Sequence, residues 1–183
     1  IHHVELIQNL GIGAAMQTGY KYALENNYDF AVQFDGDGQH DLKSLKDLLQ
    51  PLLKKEVDFT VGSRFIDKSQ SEYQSSLMRR LGIYLISKTI YLFSGLKVKD
   101  ATSGYRACNH KVISLFAQRY PIKYPEPESY IQLARKNYKI KEVAVNMYER
   151  KTGNSSIRSW NSIPYMFYVL ISIIILSFER KEK

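Results

Sequence analysis

Cysteine is almost absent from this sequence, and acidic residues are in the minority. The single cysteine, Cys108, excludes an internal disulfide and favours a reducing compartment. The chain has 18 Asp and Glu against 26 Lys and Arg, which gives a net charge of +8. The basic residues are spread along the chain, so we expect no nucleic-acid partner. Their distribution favours phosphate-bearing substrates or an anionic membrane surface.

Neither end of the sequence has the pattern of a complete targeting or spanning segment. The start, "IHHVELIQNLG", has no basic region followed by an apolar stretch, so no signal peptide is predicted. It also has no initiator Met and begins in an apparent strand, so we expect an N-terminally truncated chain. The apolar stretch at 163–178 is shorter than the roughly 20 residues of a spanning helix.

The apolar C-terminal tail predicts a helix at an interface. Trp160, Tyr165 and Tyr168 lie towards one end of the apolar stretch, and Arg180 and Lys181 lie at the other. Aromatic residues and cations are typical of the membrane–water boundary. We therefore predict a segment, 159–183, that contacts a membrane surface or packs in a homo-oligomer, with a simple core helix as the alternative. The remaining 1–158 form the predicted main domain.

The pattern of apolar residues predicts an α/β domain with enough chain for one core, since 44% of the 183 residues are hydrophobic. The predicted strands are "HVELIQ", "DFAVQF", "DFTVGS", part of "GLKVKDATSGYRACN", and "KIKEVAVNMY". The predicted helices are "GAAMQTGYKYALEN", "LKSLKDLLQPLL" bent or ended by Pro51, a long helix stopped by Gly95, and two more near 109–119 and 128–138. Such alternation predicts a parallel sheet with helices on its faces.

Two aspartates close the strand in "FAVQFDGDGQHD". Asp35 and Asp37 stand one residue apart between glycines, where their charges repel unless a cation lies between them. Mg²⁺ and Mn²⁺ prefer oxygen ligands, and Mg²⁺ often takes one or two carboxylates together with substrate phosphates. Ligands of open α/β sheets collect at the carboxyl ends of strands. The pattern predicts a metal–diphosphate site, and a plain Asx turn is an equal alternative on this spacing alone.

Two known aspartate motifs fit this pair less well. An EF-hand loop fails, because Gln39, His40 and Lys46 occupy its third ligand, glycine and glutamate positions. A phosphohydrolase of the haloacid dehalogenase type has D-x-D-G-T after a strand. Here Gln39 replaces the threonine. This hydrolase remains the alternative function.

Several motifs in order resemble glycosyltransferase family 2, in particular its dolichol- and polyprenyl-phosphate sugar synthases and bacterial cell-surface polysaccharide enzymes. The matching stretches are "NLGIGAAMQTGYKYA", "QFDGDGQHD", "VGSRF", "DATSGYRA", "PEPESYIQLARKNYKIKEVAV" and "ERKTGNSSI". The resemblance runs from about residue 9 to about residue 157. It implies a GT-A fold, Rossmann-like with a mostly parallel sheet, and inverting transfer from a nucleotide sugar.

The resemblance also implies a role for each matching position. The metal ligands are Asp35 and Asp37; the donor and phosphate contacts are Asn9, Gly13, Gln39, Arg64 and Arg150; the acceptor-side turn is Asp100, Ser103, Gly104 and Arg106. A helix N-cap accounts for Asn9 almost as well. A salt bridge is the alternative for Arg64.

Inverting transfer to a sugar hydroxyl requires a carboxylate base, whereas a lipid phosphate is already an anion. Glu126 and Glu128 in "YPEPES" are the candidate catalytic residues, although acids at a helix start also favour the macrodipole. By register, Glu128 matches the glutamate of the lipid-phosphate branch, and Glu126 lies nearer the base of the hydroxyl branch. Ser156 replaces the lysine of the lipid-phosphate branch, so we lean towards a hydroxyl acceptor.

The family's nucleotide-gripping N-terminal segment is missing from this sequence. The resemblance implies a V-x-I-P-x-Y-N-E-like strand and a downstream D-D-G-S-x-D before residue 1. We therefore expect a partial GT-A domain that uses Mn²⁺ or Mg²⁺ and transfers a sugar to a lipid-linked acceptor at the cytoplasmic face of the cell membrane. An inactive truncated remnant is a further alternative.

Overall fold

A computed structural model describes residues 2–67, 77–148 and 162–179. The elements in chain order are α1 (Ile12–Glu25), β1 (Phe30–Gln33), a 3-10 turn (Leu42–Ser44), α2 (Leu45–Leu53), β2 (Phe59–Ser63), α3 (Leu77–Ser94), β3 (Arg106–Asn109), α4 (His110–Gln118), α5 (Pro125–Arg135), β4 (Ile140–Ala144) and α6 (Ser162–Phe178). The α/β class predicted from the sequence is confirmed.

The sheet is mixed, because one of its strands opposes the direction of the others. Its strand order is β1-β3-β2-β4. β3 is antiparallel to both β1 and β2, and β4 is parallel to β2. Three strands therefore share one direction, and β3 is inserted between two of them in the opposite direction. The alternation of strands and helices along a chain does not specify between which neighbours a later strand inserts.

The first predicted strand, "HVELIQ", does not form. Residues 2–6 are irregular and exposed, and they belong to no strand. Side-chain alternation favours an extended backbone, but a strand also needs a neighbour that accepts and donates its backbone hydrogen bonds. In the "GLKVKDATSGYRACN" segment only the last four residues form a strand, β3.

The predicted ends of the helices agree with the structure better than the predicted strands do. Gly95 has a φ of 74° and donates its N–H to the Tyr91 carbonyl, which ends α3 where the glycine predicted it. Pro51 lies in the last turn of α2, which ends two residues later at Leu53. α5 starts at Pro125, three residues before its predicted start, because a proline at the first helical position needs no N–H partner.

Helices cover the two faces of the sheet unequally. Leu48 and Leu52 of α2 pack on one face against Tyr105, Ala107 and Val145. The other face has the larger core, which receives side chains from α1, α3, α4, α5 and α6; its fully buried members include Phe59, Ile90, Val112, Phe116, Tyr130, Leu133, Val169 and Ile173. This arrangement leaves the loops that follow β1 and β2 at one edge of the molecule.

Gly13 and Gly19 of α1 provide a matched test of this packing. A Cβ on Gly13 would lie 2.5 Å from the Pro121 and Ile122 backbone, whereas one on Gly19 would meet nothing within 4 Å. We expect Gly13→Ala to lower the free energy of unfolding by about 1–3 kcal/mol, because the backbone must shift. Gly19→Ala should raise it by about 0.4–1 kcal/mol. Urea unfolding measures both, and equal effects would contradict the packing.

Candidate functional site

The two aspartates of the D-x-D motif lie in the loop after β1, and both are partly exposed. The Asp37 carboxylate accepts a hydrogen bond of 3.0 Å from the Gln39 backbone N–H. The Asp35 Oδ2 lies 3.4 Å from the His40 Nε2. The His40 ring is buried against Tyr105, with ring centroids 4.8 Å apart. The predicted Asx turn is thus present at Asp37.

The turn before β3 comes directly against Asp35. A Cβ on Gly104 would lie 2.6 Å from the Asp35 Oδ2, a distance that real Cβ atoms do not adopt. Only glycine therefore allows this approach without displacing the carboxylate. Ser103 is buried beside it, and its hydroxyl accepts from the Tyr105 N–H at 3.3 Å. The structure thus brings the predicted metal loop and the predicted acceptor-side turn together.

Arg106 connects this turn to the start of α5. It is 1% exposed, and its guanidinium donates from Nε to the Ser103 carbonyl, from Nη1 to the Ser129 hydroxyl, and from Nη2 to the Glu126 carbonyl, at 2.7, 2.6 and 2.9 Å. The guanidinium also lies 5.3 Å from the centre of the Tyr130 ring. Arg106 therefore positions Glu126 relative to the turn, with its donors directed at protein groups.

The two candidate catalytic acids, Glu126 and Glu128, have pKa values that are shifted by different neighbouring groups. Burial raises the pKa of Glu126, the positive charge of Arg106 opposes that rise, and the charge of Asp35 adds to it. Glu126 thus shares the electrostatic surroundings of the D-x-D motif. Burial also raises the pKa of Glu128, but its opposing partner is a hydrogen bond from Ser172 of α6. Glu128 therefore belongs to the contact between α5 and α6.

Arg64 forms a buried ion pair. Its Nε and Nη2 donate to the two carboxylate oxygens of Asp100 at 2.7 Å each, and its backbone N–H donates to the same carboxylate at 3.1 Å. Asp100 is fully buried. Glu142 of β4 fixes the same loop by accepting the Lys99 and Asp100 N–H groups. The structure therefore favours the salt-bridge alternative for Arg64, in a buried setting.

Of the predicted nucleotide-side residues near the start of the chain, Asn9 is exposed and Gly13 is buried. The exposed Asn9 side chain accepts from the Gly11 N–H at 3.0 Å, and Gly11 occupies the N-cap position of α1. The alternative prediction that Asn9 is the N-cap of α1 is therefore wrong, because the N-cap lies two residues later in the chain. Gly13 packs against the Pro121 and Ile122 backbone.

Gln39 links the D-x-D loop to the chain that follows β4. The Tyr148 N–H donates to the Gln39 carbonyl at 2.9 Å, and a β-bridge joins His40 to Met147. Arg150 follows two residues later in the sequence but lies outside the described residues, as do Gly153 and Ser156. The described chain thus reaches the D-x-D loop immediately before the predicted arginine.

Two side chains beside the motif were not predicted from the sequence. Tyr120 donates to the buried Gln33 Oε1 at 3.1 Å, and Gln33 is the last residue of β1, two before Asp35. The Gln33 amide Nε2 is buried, with no hydrogen-bond partner among the described residues. A glutamine at an inward position of a short apolar strand was the signal that could have identified it, whereas no local pattern marks Tyr120.

The chain belongs to glycosyltransferase family 2. The profile described as "Glycosyl transferase family 2" matches residues 1–116. The fold, with a four-strand mixed sheet flanked by helices, is consistent with GT-A. This membership excludes a haloacid dehalogenase as the origin of the D-x-D motif.

The chain is also similar in sequence to individual curated proteins, among them the following three. An uncharacterized protein of Methanocaldococcus jannaschii is 33% identical over 76% of this chain and 58% of its own length. A UDP-N-acetylglucosamine–dolichyl-phosphate N-acetylglucosaminyltransferase of Methanococcus voltae is 33% identical over 71% of this chain and 52% of its own. A polyprenol monophosphomannose synthase of Mycolicibacterium smegmatis is 26% identical over 92% and 64%. The chain thus spans between half and two thirds of these relatives.

Proposed function

We propose that this chain carries out metal-dependent, inverting transfer of a sugar from a nucleotide-diphosphate donor to a membrane-linked acceptor at the cytoplasmic face of the membrane. The observation that carries the proposal is the contact of Asp35 with the turn at Gly104, where the Cβ position lies 2.6 Å from the carboxylate. This contact brings the predicted diphosphate-binding motif next to the predicted acceptor-side turn, and Arg106 of the same turn holds the Glu126 backbone carbonyl.

The residues at the D-x-D loop fit Mn²⁺ or Mg²⁺. Asp35 and Asp37 are partly exposed carboxylates, and Gly104 leaves Asp35 the space it occupies. Within 2–67, 77–148 and 162–179, no three His, Cys, Asp or Glu side chains gather as a metal site. Further ligands would therefore come from substrate phosphates and water, as is usual for Mg²⁺. When bound, the metal would stabilise the negative charge of the leaving diphosphate.

A polyprenyl or dolichyl phosphate is the acceptor that we place first. The names of the Methanococcus voltae and Mycolicibacterium smegmatis relatives contain a dolichyl phosphate and a polyprenol monophosphomannose. This choice reverses the preference for a hydroxyl that Ser156 suggested. A phosphate acceptor is already an anion and needs cationic contacts, for which we propose Arg150, since Arg64 is engaged with Asp100 in a buried pair.

A sugar hydroxyl is the second acceptor that an observation favours. Burial raises the pKa of Glu126 although the charge of Arg106 opposes the rise, and a carboxylate whose pKa is raised binds an abstracted proton more strongly. We propose Glu126 alone as that base, because Glu128 faces α6.

The D-x-D motif can be tested by binding alone. We expect Asp35→Ala and Asp37→Ala each to abolish Mn²⁺-dependent binding of nucleotide-diphosphate sugars, because each change removes a ligand oxygen pair. Isothermal calorimetry measures the binding, and circular dichroism checks the fold. Asp47→Ala, an exposed aspartate of α2, is the matched control and should bind like the unchanged chain.

Three outcomes of this experiment are informative. Loss of binding in both variants with a normal control supports the proposal. Unchanged metal-dependent binding in both variants overturns the assignment of Asp35 and Asp37. No binding by the unchanged chain favours the inactive remnant.

A further inference from the structure

His40 is a buried histidine directly beside the candidate metal ligand Asp35. Its side chain is 4% exposed, whereas that of Asp35 is 38% exposed. An ionised carboxylate can only accept a hydrogen bond, so the imidazole Nε2 carries the hydrogen and donates it to the Asp35 Oδ2 over 3.4 Å. The hydrogen bond therefore reaches the carboxylate from the protein interior and does not occupy its exposed side.

Two groups approach the same oxygen of the Asp35 carboxylate. Oδ2 meets the His40 Nε2, and the same atom lies 2.6 Å from the position of a Cβ on Gly104. Oδ1 lies farther from that position, at 3.4 Å. The glycine turn limits the rotation of the carboxylate, and the imidazole favours one of the orientations that remain. Both groups therefore act on the direction in which Oδ1 points.

The backbone around His40 is held by the chain that follows β4. The Tyr148 N–H donates to the Gln39 carbonyl at 2.9 Å, and the Asp41 N–H donates to a carbonyl of the same segment at 3.4 Å. A β-bridge pairs His40 itself with Met147. The imidazole is thus attached to a backbone segment that is fixed on both sides of it.

Two aromatic rings fix the orientation of the imidazole. Its centroid lies 4.8 Å from that of Tyr105 and 5.3 Å from that of Phe34. Tyr105 and Phe34 also pack edge-to-face on each other, with centroids 5.5 Å apart. These contacts need a flat ring of this size but neither of its nitrogen atoms. A phenylalanine at position 40 would make them equally well.

The second nitrogen of the imidazole argues against a role in packing alone. The His40 Nδ1 is buried and has no hydrogen-bond partner among the residues that the structure describes. A buried polar atom without a partner destabilises the folded state, and such atoms are rare in native proteins. A histidine is therefore less favourable for packing here than a phenylalanine, and the nitrogen that does have a partner is directed at Asp35.

We propose that His40 is a positioning residue for the divalent metal, which holds the Asp35 Oδ2 so that Oδ1 faces the metal ion. A carboxylate that is already oriented loses less freedom when the metal binds, so the affinity rises without a further ligand. The distance of 3.4 Å is longer than the usual length of about 2.9–3.0 Å, so we assign the hydrogen bond to orientation. The inference rests on the proposed function, because it concerns the same metal.

Two substitutions separate the hydrogen bond of His40 from its packing. His40→Phe keeps a ring against Tyr105 and Phe34 but removes the donor and the unpaired Nδ1. We expect the metal-dependent affinity to fall about 10–100-fold, as is usual when a metal ligand loses its hydrogen-bond partner. The midpoint of urea unfolding should stay the same or rise.

His40→Gln makes the opposite change. Its amide keeps an N–H close to the position of the imidazole Nε2, but the ring contacts are lost. We expect the metal-dependent affinity to stay within a few fold of that of the unchanged chain and the midpoint of urea unfolding to fall.

Binding and unfolding are measured separately. Isothermal calorimetry with uridine or guanosine diphosphate, each with and without Mn²⁺, gives the metal-dependent affinity, and urea unfolding without metal gives the midpoint. His110→Phe is the matched control, because His110 lies at the start of α4 with its Nδ1 3.0 Å from the Tyr28 carbonyl. This control should bind like the unchanged chain.

The opposite patterns of the two His40 variants would support the positioning role. Equal affinity of His40→Phe and the unchanged chain would overturn that role and leave the metal site itself intact. A fall in both the affinity and the midpoint of His40→Phe would overturn it too, because His40 would then be structural. Loss of affinity in His40→Gln as well would show that the N–H is not what matters. If the unchanged chain shows no metal-dependent binding, the positioning role and the proposed function are both wrong.

Discussion

Glu126→Gln is expected to lower kcat for transfer to a sugar hydroxyl by about 10²–10⁴-fold, the usual contribution of a positioned general base. Glutamine has nearly the same shape but cannot accept the hydroxyl proton. The expectation applies to Glu126 because burial raises its pKa and the charges of Arg106 and Asp35 both act on that pKa. The assay is turnover with a lipid-linked sugar as acceptor.

Glu128→Gln is the matched control for that experiment. Glu128 stands two residues away in the same first turn of α5 and is also an acid whose pKa is raised by burial, but it contacts Ser172 of α6. We expect the control to change kcat by no more than a few fold.

The same variants distinguish the two acceptors. With a polyprenyl phosphate as acceptor, both glutamine variants should be mild, because the attacking oxygen is already an anion. Near-normal turnover of Glu126→Gln on a sugar hydroxyl would show that Glu126 is not the base.

Arg64→Ala is expected to lower the free energy of unfolding by about 3–5 kcal/mol, the usual cost of leaving one partner of a buried ion pair alone. Asp100 would keep its charge in a fully buried position without the two guanidinium hydrogen bonds of 2.7 Å. Urea unfolding followed by circular dichroism measures the loss.

An exposed ion pair between β4 and the loop that precedes β2 is the control. Lys141 donates to Glu56 at 3.2 Å, with both side chains about half exposed. Lys141→Ala should therefore cost at most about 1 kcal/mol. If Arg64→Ala costs no more than this and instead removes nucleotide binding, then Arg64 contacts phosphate as the family resemblance implied.

The sequence alone determined the local features of this protein. Gly95 predicted the end of α3, because few other residues adopt a φ of 74° without strain. The spacing of Asp35 and Asp37 after an apolar strand predicted the position of the D-x-D loop. Together with the order of the other motifs, it also predicted the family. The first two conclusions depend on residues that are close in the chain, where the backbone fixes their relative geometry, and the third depends on the order of such local motifs along the chain.

Only the tertiary structure decided which distant residues meet. Glu126 and Glu128 stand two residues apart in "PEPES", which is about 200° around a helix of 3.6 residues per turn. The charge of Asp35 therefore acts on the pKa of Glu126, whereas Glu128 has a hydrogen bond with Ser172 of α6. The motifs "VGSRF" and "DATSGYRA" did not predict that Arg64 pairs with Asp100, because the two residues are 36 positions apart in the chain. β3 is inserted between β1 and β2 through backbone hydrogen bonds, which nearly every residue can form, so the local sequence of β3 does not identify its neighbours or its direction.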